Sequence, residues 1–174
     1  MSTADLIALF HHRWAPPALA LLTERRGARF VELQRQLDVG RESLTRALAA
    51  LIAQELVRRD TGYGHPLRPE YLPTSRGRRD GSVAARVLAA GDNEVLLRKW
   101  SVPILAELGE SRRFSELGAA LNGITPRALA LALQELERAR LVRREVLPTR
   151  PPSTSYRPTA RGRRVQDALS MVDR

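Results

Sequence analysis

The sequence predicts a mainly α-helical chain with small β-ribbons, organised as two tandem copies of one domain. Three observations carry this. The chain repeats itself at a spacing near 85 residues, each copy shows apolar residues at helical spacing, and each copy ends in an extended stretch punctuated by Gly and Pro. At 174 residues and 43% hydrophobic, the chain can bury one ordinary core or two small ones. The repeat selects two, divided as residues 1–90 and 91–174.

The repeat is plainest near the end of each copy. Residues 71–79 read YLPTSRGRR and residues 156–164 read YRPTARGRR, identical at seven of nine positions. The same shift pairs Val39 with Ile124, Leu44 with Leu129, Leu48 with Leu133 and Leu51 with Leu136, so 41 columns align without a gap. Upstream, Phe30, Leu33 and Leu37 face Phe114, Leu117 and Leu121 at 84, and Arg13-Trp14 faces Lys99-Trp100 at 86.

Taken in order, the first copy predicts a short helix after Pro16 and Pro17, marked by Leu19, Leu21 and Leu22. Phe30, Leu33 and Leu37 mark a second helix. Leu44, Leu48 and Leu51 mark a third at spacing i, i+4, i+7, with Ile52 beside them. Asp38, Val39 and Gly40 leave a tight turn between the last two, with Val39 placed to cap the crevice between crossing helices. In the second copy that turn is Asn122, Gly123 and Ile124. Thr125 then suits an N-cap, and Pro126 the first helical position, where its missing N–H costs nothing.

After the third helix each copy turns extended, over 56–60 with 71–74 and over 141–147 with 155–159. This predicts a two-stranded ribbon with a loose tip, around Gly62, Gly64, Pro66 and Pro69 in one copy and Pro148, Pro151 and Pro152 in the other. A closing helix follows over 75–90 and 160–172, each beginning with three arginines. Three helices, a ribbon and a return helix make a winged helix-turn-helix.

Charge narrows the partner. Twenty-nine basic against nineteen acidic side chains give a formal charge of +10, and each half carries +5, so there is no basic tail. This points to a polyanion, with double-stranded DNA first. Only Lys99 is lysine. Arginine suits bidentate contact with phosphate or guanine, and equally follows from the codon usage of a GC-rich genome. With no cysteine there is no disulfide, thiol switch or thiolate nucleophile. No secretion signal precedes Trp14, and no apolar run approaches the roughly 20 residues needed to span a bilayer. A cytoplasmic protein without membrane partners is expected.

The second copy, from Lys99 to Gly162, resembles the HxlR-type branch of bacterial winged helix-turn-helix transcription regulators, which are relatives of the MarR group. The resemblance rests on Lys99-Trp100, on the run from Arg112 to Leu117, on Ile124-Thr125-Pro126-Arg127 with Leu129, and on Pro151-Pro152 with Tyr156, Thr159 and Gly162. The first copy resembles the family through the second. Members of that family carry one such domain per chain and pair through terminal helices. Two copies in one chain therefore imply an intramolecular pseudo-dimer, with residues 79–99 closing one copy and opening the next, broken near Gly91-Asp92. Some relatives sense electrophiles through a cysteine, which this chain lacks.

In such a fold the exposed start of the third helix meets base edges. Copy one presents Arg41, Glu42, Ser43, Thr45 and Arg46, a set with donors and acceptors for bases and phosphates. Copy two aligns Pro126, Arg127, Ala128, Ala130 and Leu131, of which only Arg127 is a strong hydrogen-bonding side chain. The expected DNA contacts are therefore Arg41, Ser43, Thr45 and Arg46, with Arg127 as their counterpart. At the wings and their exits Arg68, Arg76, Arg78, Arg79, Arg157, Arg161, Arg163 and Arg164 suit phosphate or the narrow minor groove. The blander reading makes these solvated helix residues or partners of acids.

A ligand-responsive regulator also needs an input. Trp14 and Trp100 are expected to pack as core or interface residues, or else to line a cleft with Phe10, His11 and His12 where a small aromatic effector could stack. His11, His12 and His65 do not make a metal site, and neither cofactor nor metal is expected. No phosphate loop, nucleophile elbow or framed acidic pair supports an enzyme. The function expected is a sequence-specific, double-stranded DNA-binding transcription regulator. The alternative is a protein that binds or sequesters a small aromatic ligand on the same scaffold. Self-association into a homodimer would assemble four winged helices.

Overall fold

The computed structural model describes residues 1–61, 69–148 and 153–170. The chain divides into two compact units. Among the described residues, Ala8–Ala89 forms one, and Ala90–Ser170 forms the other, together with Met1–Ile7.

The chain opens with α1 (Thr3–Phe10), whose start is capped reciprocally. The Ser2 N–H donates to Asp5 Oδ2 at 2.9 Å, and the Asp5 N–H donates to Ser2 Oγ at 3.2 Å. Helix α2 (Ala15–Arg25) begins before Pro16 and Pro17, not after them as the sequence suggests. Both prolines occupy its first turn, where a backbone N–H has no intrahelical acceptor and none is lost. Next come β1 (Ala28–Arg29), α3 (Phe30–Leu37) and α4 (Arg41–Ala53). The wing strands are β2 (Val57–Asp60) and β3 (Glu70–Pro73), and α5 (Ser75–Ala90) closes the copy.

Most of the set anticipated from periodicity forms the core of this unit, but Phe30 and Leu37 are only half-buried and Ile52 is exposed. Leu19, Leu22, Leu33, Leu44, Leu48 and Leu51 are buried, and Val39 is buried in the turn between α3 and α4. The expected two-stranded ribbon is instead a three-stranded antiparallel sheet in the order β1-β3-β2. Ala28 pairs with Tyr71 and Arg29 with Glu70. A two-residue strand is too short to show period-2 alternation, so periodicity cannot reveal it.

The second unit repeats the plan. After α6 (Asn93–Leu96), capped by Asp92 through a 2.9 Å bond from the Glu94 N–H, come α7 (Ser101–Leu108), β4 (Arg112–Arg113) and α8 (Phe114–Ala120). Then follow α9 (Pro126–Arg138), β5 (Val142–Leu147), β6 (Ser153–Pro158) and α10 (Ala160–Ser170). The helical path breaks between α5 and α6 at Gly91-Asp92, as the sequence indicates. Thr125 caps α9, its hydroxyl accepting the Ala128 N–H at 3.2 Å, with Pro126 as the first helical residue. The sheet order is β4-β6-β5.

The strongest repeat motif has a local structural cause. Each third helix ends in a left-handed residue, Glu55 or Arg140, both at φ 57°. The Thr74 hydroxyl donates to the Glu55 carbonyl at 2.8 Å, and Thr159 does the same to Arg140 at 2.6 Å. The same hydroxyls accept the N–H of Gly77 at 2.9 Å and of Gly162 at 3.2 Å, which caps the closing helix. Those glycines lie against the turn itself. A Cβ on Gly77 would stand 1.8 Å from the Leu56 carbonyl oxygen, and one on Gly162 would stand 2.1 Å from that of Leu141. The threonine and glycine shared by the two copies therefore weld the closing helix to the end of the third helix.

Candidate nucleic-acid interface

Helix α4 presents the predicted reading head of copy one. Arg41 is its first residue and is exposed, as are Thr45 and Arg46, while Ser43 is half-buried. The Thr45 hydroxyl donates to the Arg41 carbonyl at 2.8 Å, so toward a base it can only accept. Arg46 approaches Glu42 at 3.5 Å, one turn away. With side chains 62% and 85% exposed, this pair is weak and leaves Arg46 available. In copy two, α9 exposes Pro126, Arg127, Ala130 and Leu131, the last at 52%. Arg127 has no ion pair among the described residues.

The wing arginines separate into occupied and available groups. Arg78 donates to the Pro73 carbonyl and to Ser75 Oγ, both at 3.1 Å, so it holds strand to helix. Arg76 lies 3.6 Å from Asp80, Arg157 3.4 Å from Glu145 and Arg163 3.5 Å from Glu110. Arg79, Arg161 and Arg164 are exposed and unpaired among the described residues. Arg68 lies outside the described residues.

The proposed effector residues are dispersed in role. Phe10 is 1% exposed, a core side chain that offers no face to a ligand, which corrects its place in that set. His11 is exposed and meets His12 edge-on at 5.0 Å. Trp14 and Trp100 are half-buried and precede α2 and α7 at their N-caps, with Lys99 Nζ 4.7 Å from the Trp100 ring centroid. Tyr156, on β6, has its phenol pushed up by burial and by Glu137, against the pull of Arg144.

One group of residues is not anticipated by the sequence as a group. Arg25, Arg29, Arg35 and Arg59 join Arg41 around an open groove of about 900 Å³ on copy one, with Phe30 and Tyr71 in its lining. In the sequence, Phe30 and Tyr71 stand out only as markers of the repeat. The signal that could have found the group is a charge difference between aligned columns, Arg35 against Ala119 and Arg41 against Pro126.

Two small helical units, each with a wing and an exposed helix before it, α4 or α9, define a tandem winged helix-turn-helix protein. Residues 9–92 and again 95–174 match the HxlR-like helix-turn-helix family. The chain belongs to that family. An uncharacterized HTH-type transcriptional regulator of Synechocystis is 40% identical over 77 residues, which are 44% of this chain and 57% of that protein. The uncharacterized HTH-type transcriptional regulator YvaP of Bacillus subtilis is 33% identical over 82 residues, 47% of this chain and 76% of its own. The chain thus spans little more than half the length of the first of these relatives. Among solved structures, the reduced form of the transcriptional regulator YodB from B. subtilis matches at 31% identity and a TM-score of 0.41, covering 44% of this chain and 76% of that one. Family and relatives are regulators, not enzymes. Among the described residues, no helix is long and apolar enough to cross a membrane.

Proposed function

We propose that the protein is a sequence-specific, double-stranded DNA-binding transcription regulator whose two copies act as an intramolecular pseudo-dimer on unequal half-sites. The observation that carries this reading is the contrast between the two third helices. On α4, Arg41, Thr45 and Arg46 stand exposed with hydrogen-bonding heads, whereas the corresponding face of α9 is Pro126, Arg127, Ala130 and Leu131. Arginine forks match guanine, and a threonine acceptor matches an amino group of adenine or cytosine. Copy two is suited to a single guanine or a thymine methyl, so its contribution is mainly phosphate contact.

The test is selection from a random duplex pool at about 0.15 M salt. An asymmetric enriched motif is expected. Arg41→Ala with Arg46→Ala should then cost about 1–3 kcal/mol on that motif for each base no longer read. Unselective, salt-labile retention, or equal weakening on scrambled DNA, would overturn the base-reading role.

A further inference from the structure

We propose that copy one carries a binding site for a planar-ring organic phosphate, in the groove framed by Arg25, Arg29, Arg35, Arg41 and Arg59, and that the occupant competes with DNA. Each arginine comes from a different element, namely the last turn of α2, β1, α3, the first turn of α4, and β2. None of the five is ion-paired among the described residues. The one carboxylate in the lining, Glu32, is committed to the fold, accepting the Arg29 backbone N–H at 2.8 Å through Oε2. The groove therefore concentrates positive charge, further raised by the N-terminus of α4, where a dianion is favoured. Guanidinium forks match phosphate oxygens two at a time.

Charge alone would suit a DNA backbone, but the walls carry more than charge. Phe30 and Tyr71 line the groove, and the Arg41 guanidinium lies over the Phe30 ring at 5.7 Å from its centroid. Duplex DNA keeps its base faces stacked inside the helix, so phosphate contact makes no use of an aromatic wall. The volume, about 900 Å³, falls within the range of small-molecule sites, about 300–1,000 Å³.

Comparison with the second copy separates the fold requirement from the site. Arg29, Phe30, Arg59 and Tyr71 recur as Arg113, Phe114, Arg144 and Tyr156, so they belong to the shared framework. Arg35, Arg41 and Thr45 become Ala119, Pro126 and Ala130. The same winged helix forms without those three side chains. Arg41 and Thr45 line the groove and also stand on the reading face of α4, so an occupant withdraws both from a base edge. That competition rests on the regulator reading, whereas binding of the phosphate does not.

The experiment is calorimetric titration of the full chain with adenosine 5′-monophosphate and with 4-nitrophenyl phosphate, against inorganic phosphate and adenosine. At least one of the two ring phosphates is expected to bind tenfold or more tightly than either inorganic phosphate or adenosine. Arg35→Ala, which installs the residue already present in copy two, should weaken it at least fivefold, and Arg138→Ala, at the exposed C-terminal end of α9, should not. No preference for a ring phosphate over inorganic phosphate, or no effect of Arg35→Ala, would overturn the site and leave the groove as a contact for DNA backbone. On the selected duplex, the ring phosphate should displace DNA from the wild type at lower concentration than from Arg35→Ala. Displacement at equal concentrations would overturn the competition. The titration contains no DNA, so its failure is separate from failure of pool selection.

Discussion

Ser101 opens α7 with its side chain fully enclosed and no hydrogen-bond partner for its hydroxyl among the described residues. The matching position in copy one is Ala15, equally buried. A buried hydroxyl without a partner keeps the desolvation penalty and gains nothing in return. Ser101→Ala should therefore leave stability unchanged or raise it by about 1 kcal/mol, read as the urea midpoint at constant slope. A fall of similar size would show that the hydroxyl is satisfied in solution. The same scale separates arginines that look alike in sequence. Arg78 and Arg79 are neighbours, yet one is fastened to the Pro73 carbonyl and the other is exposed and unpaired among the described residues.

At the scale of elements, the junction between the third helix and the closing helix is the most constrained part of each copy. The threonine supplies a tether to a left-handed turn and a cap for the next helix, and the glycine lets backbone meet backbone. Gly77→Ala and Gly162→Ala should each destabilise by about 1–3 kcal/mol, because the intruding Cβ meets a carbonyl oxygen and not the end of a flexible side chain. Thermal unfolding of the two variants checks this, and retention of the wild-type midpoint in both would refute it. Most of these elements are legible in the sequence. Periodicity locates α3, α4 and α9, and Thr125-Pro126 locates the start of α9 within its own turn. What escapes is the start of α2, since Pro16 and Pro17 read as a boundary although a first turn accepts them, and the short strands β1 and β4.

For the whole molecule, net charge is shared evenly while its use is not. Each half carries +5, yet the five-arginine groove and the polar reading head both belong to copy one. Copy two keeps Arg161 and Arg164, exposed and unpaired among the described residues, at the start of its closing helix, and the proposed function assigns them sequence-independent phosphate contact. Replacing both with Ala should weaken binding to all duplexes alike and flatten the dependence of log K on log salt by about one unit for each phosphate left unneutralised. An unchanged slope would remove them from the DNA face. Arg41 and Arg46, by contrast, should shift which sequences are preferred.

The amino-acid sequence by itself determined the duplication, the order of helices and wings in each copy, the core leucines and the inequality of the two third helices. These follow from spacing, capping and composition, all of which act over a few neighbouring residues. Only the tertiary structure decided that Arg78, Arg157 and Arg163 are engaged within their own copies, that Phe10 is core, and that a third strand pairs with each ribbon. It also brought Arg25, Arg29, Arg35, Arg41 and Arg59, from five separate elements, around one groove. Ion pairs and shared cavities depend on distances of a few ångströms between residues far apart in the chain, and neither spacing nor periodicity encodes them.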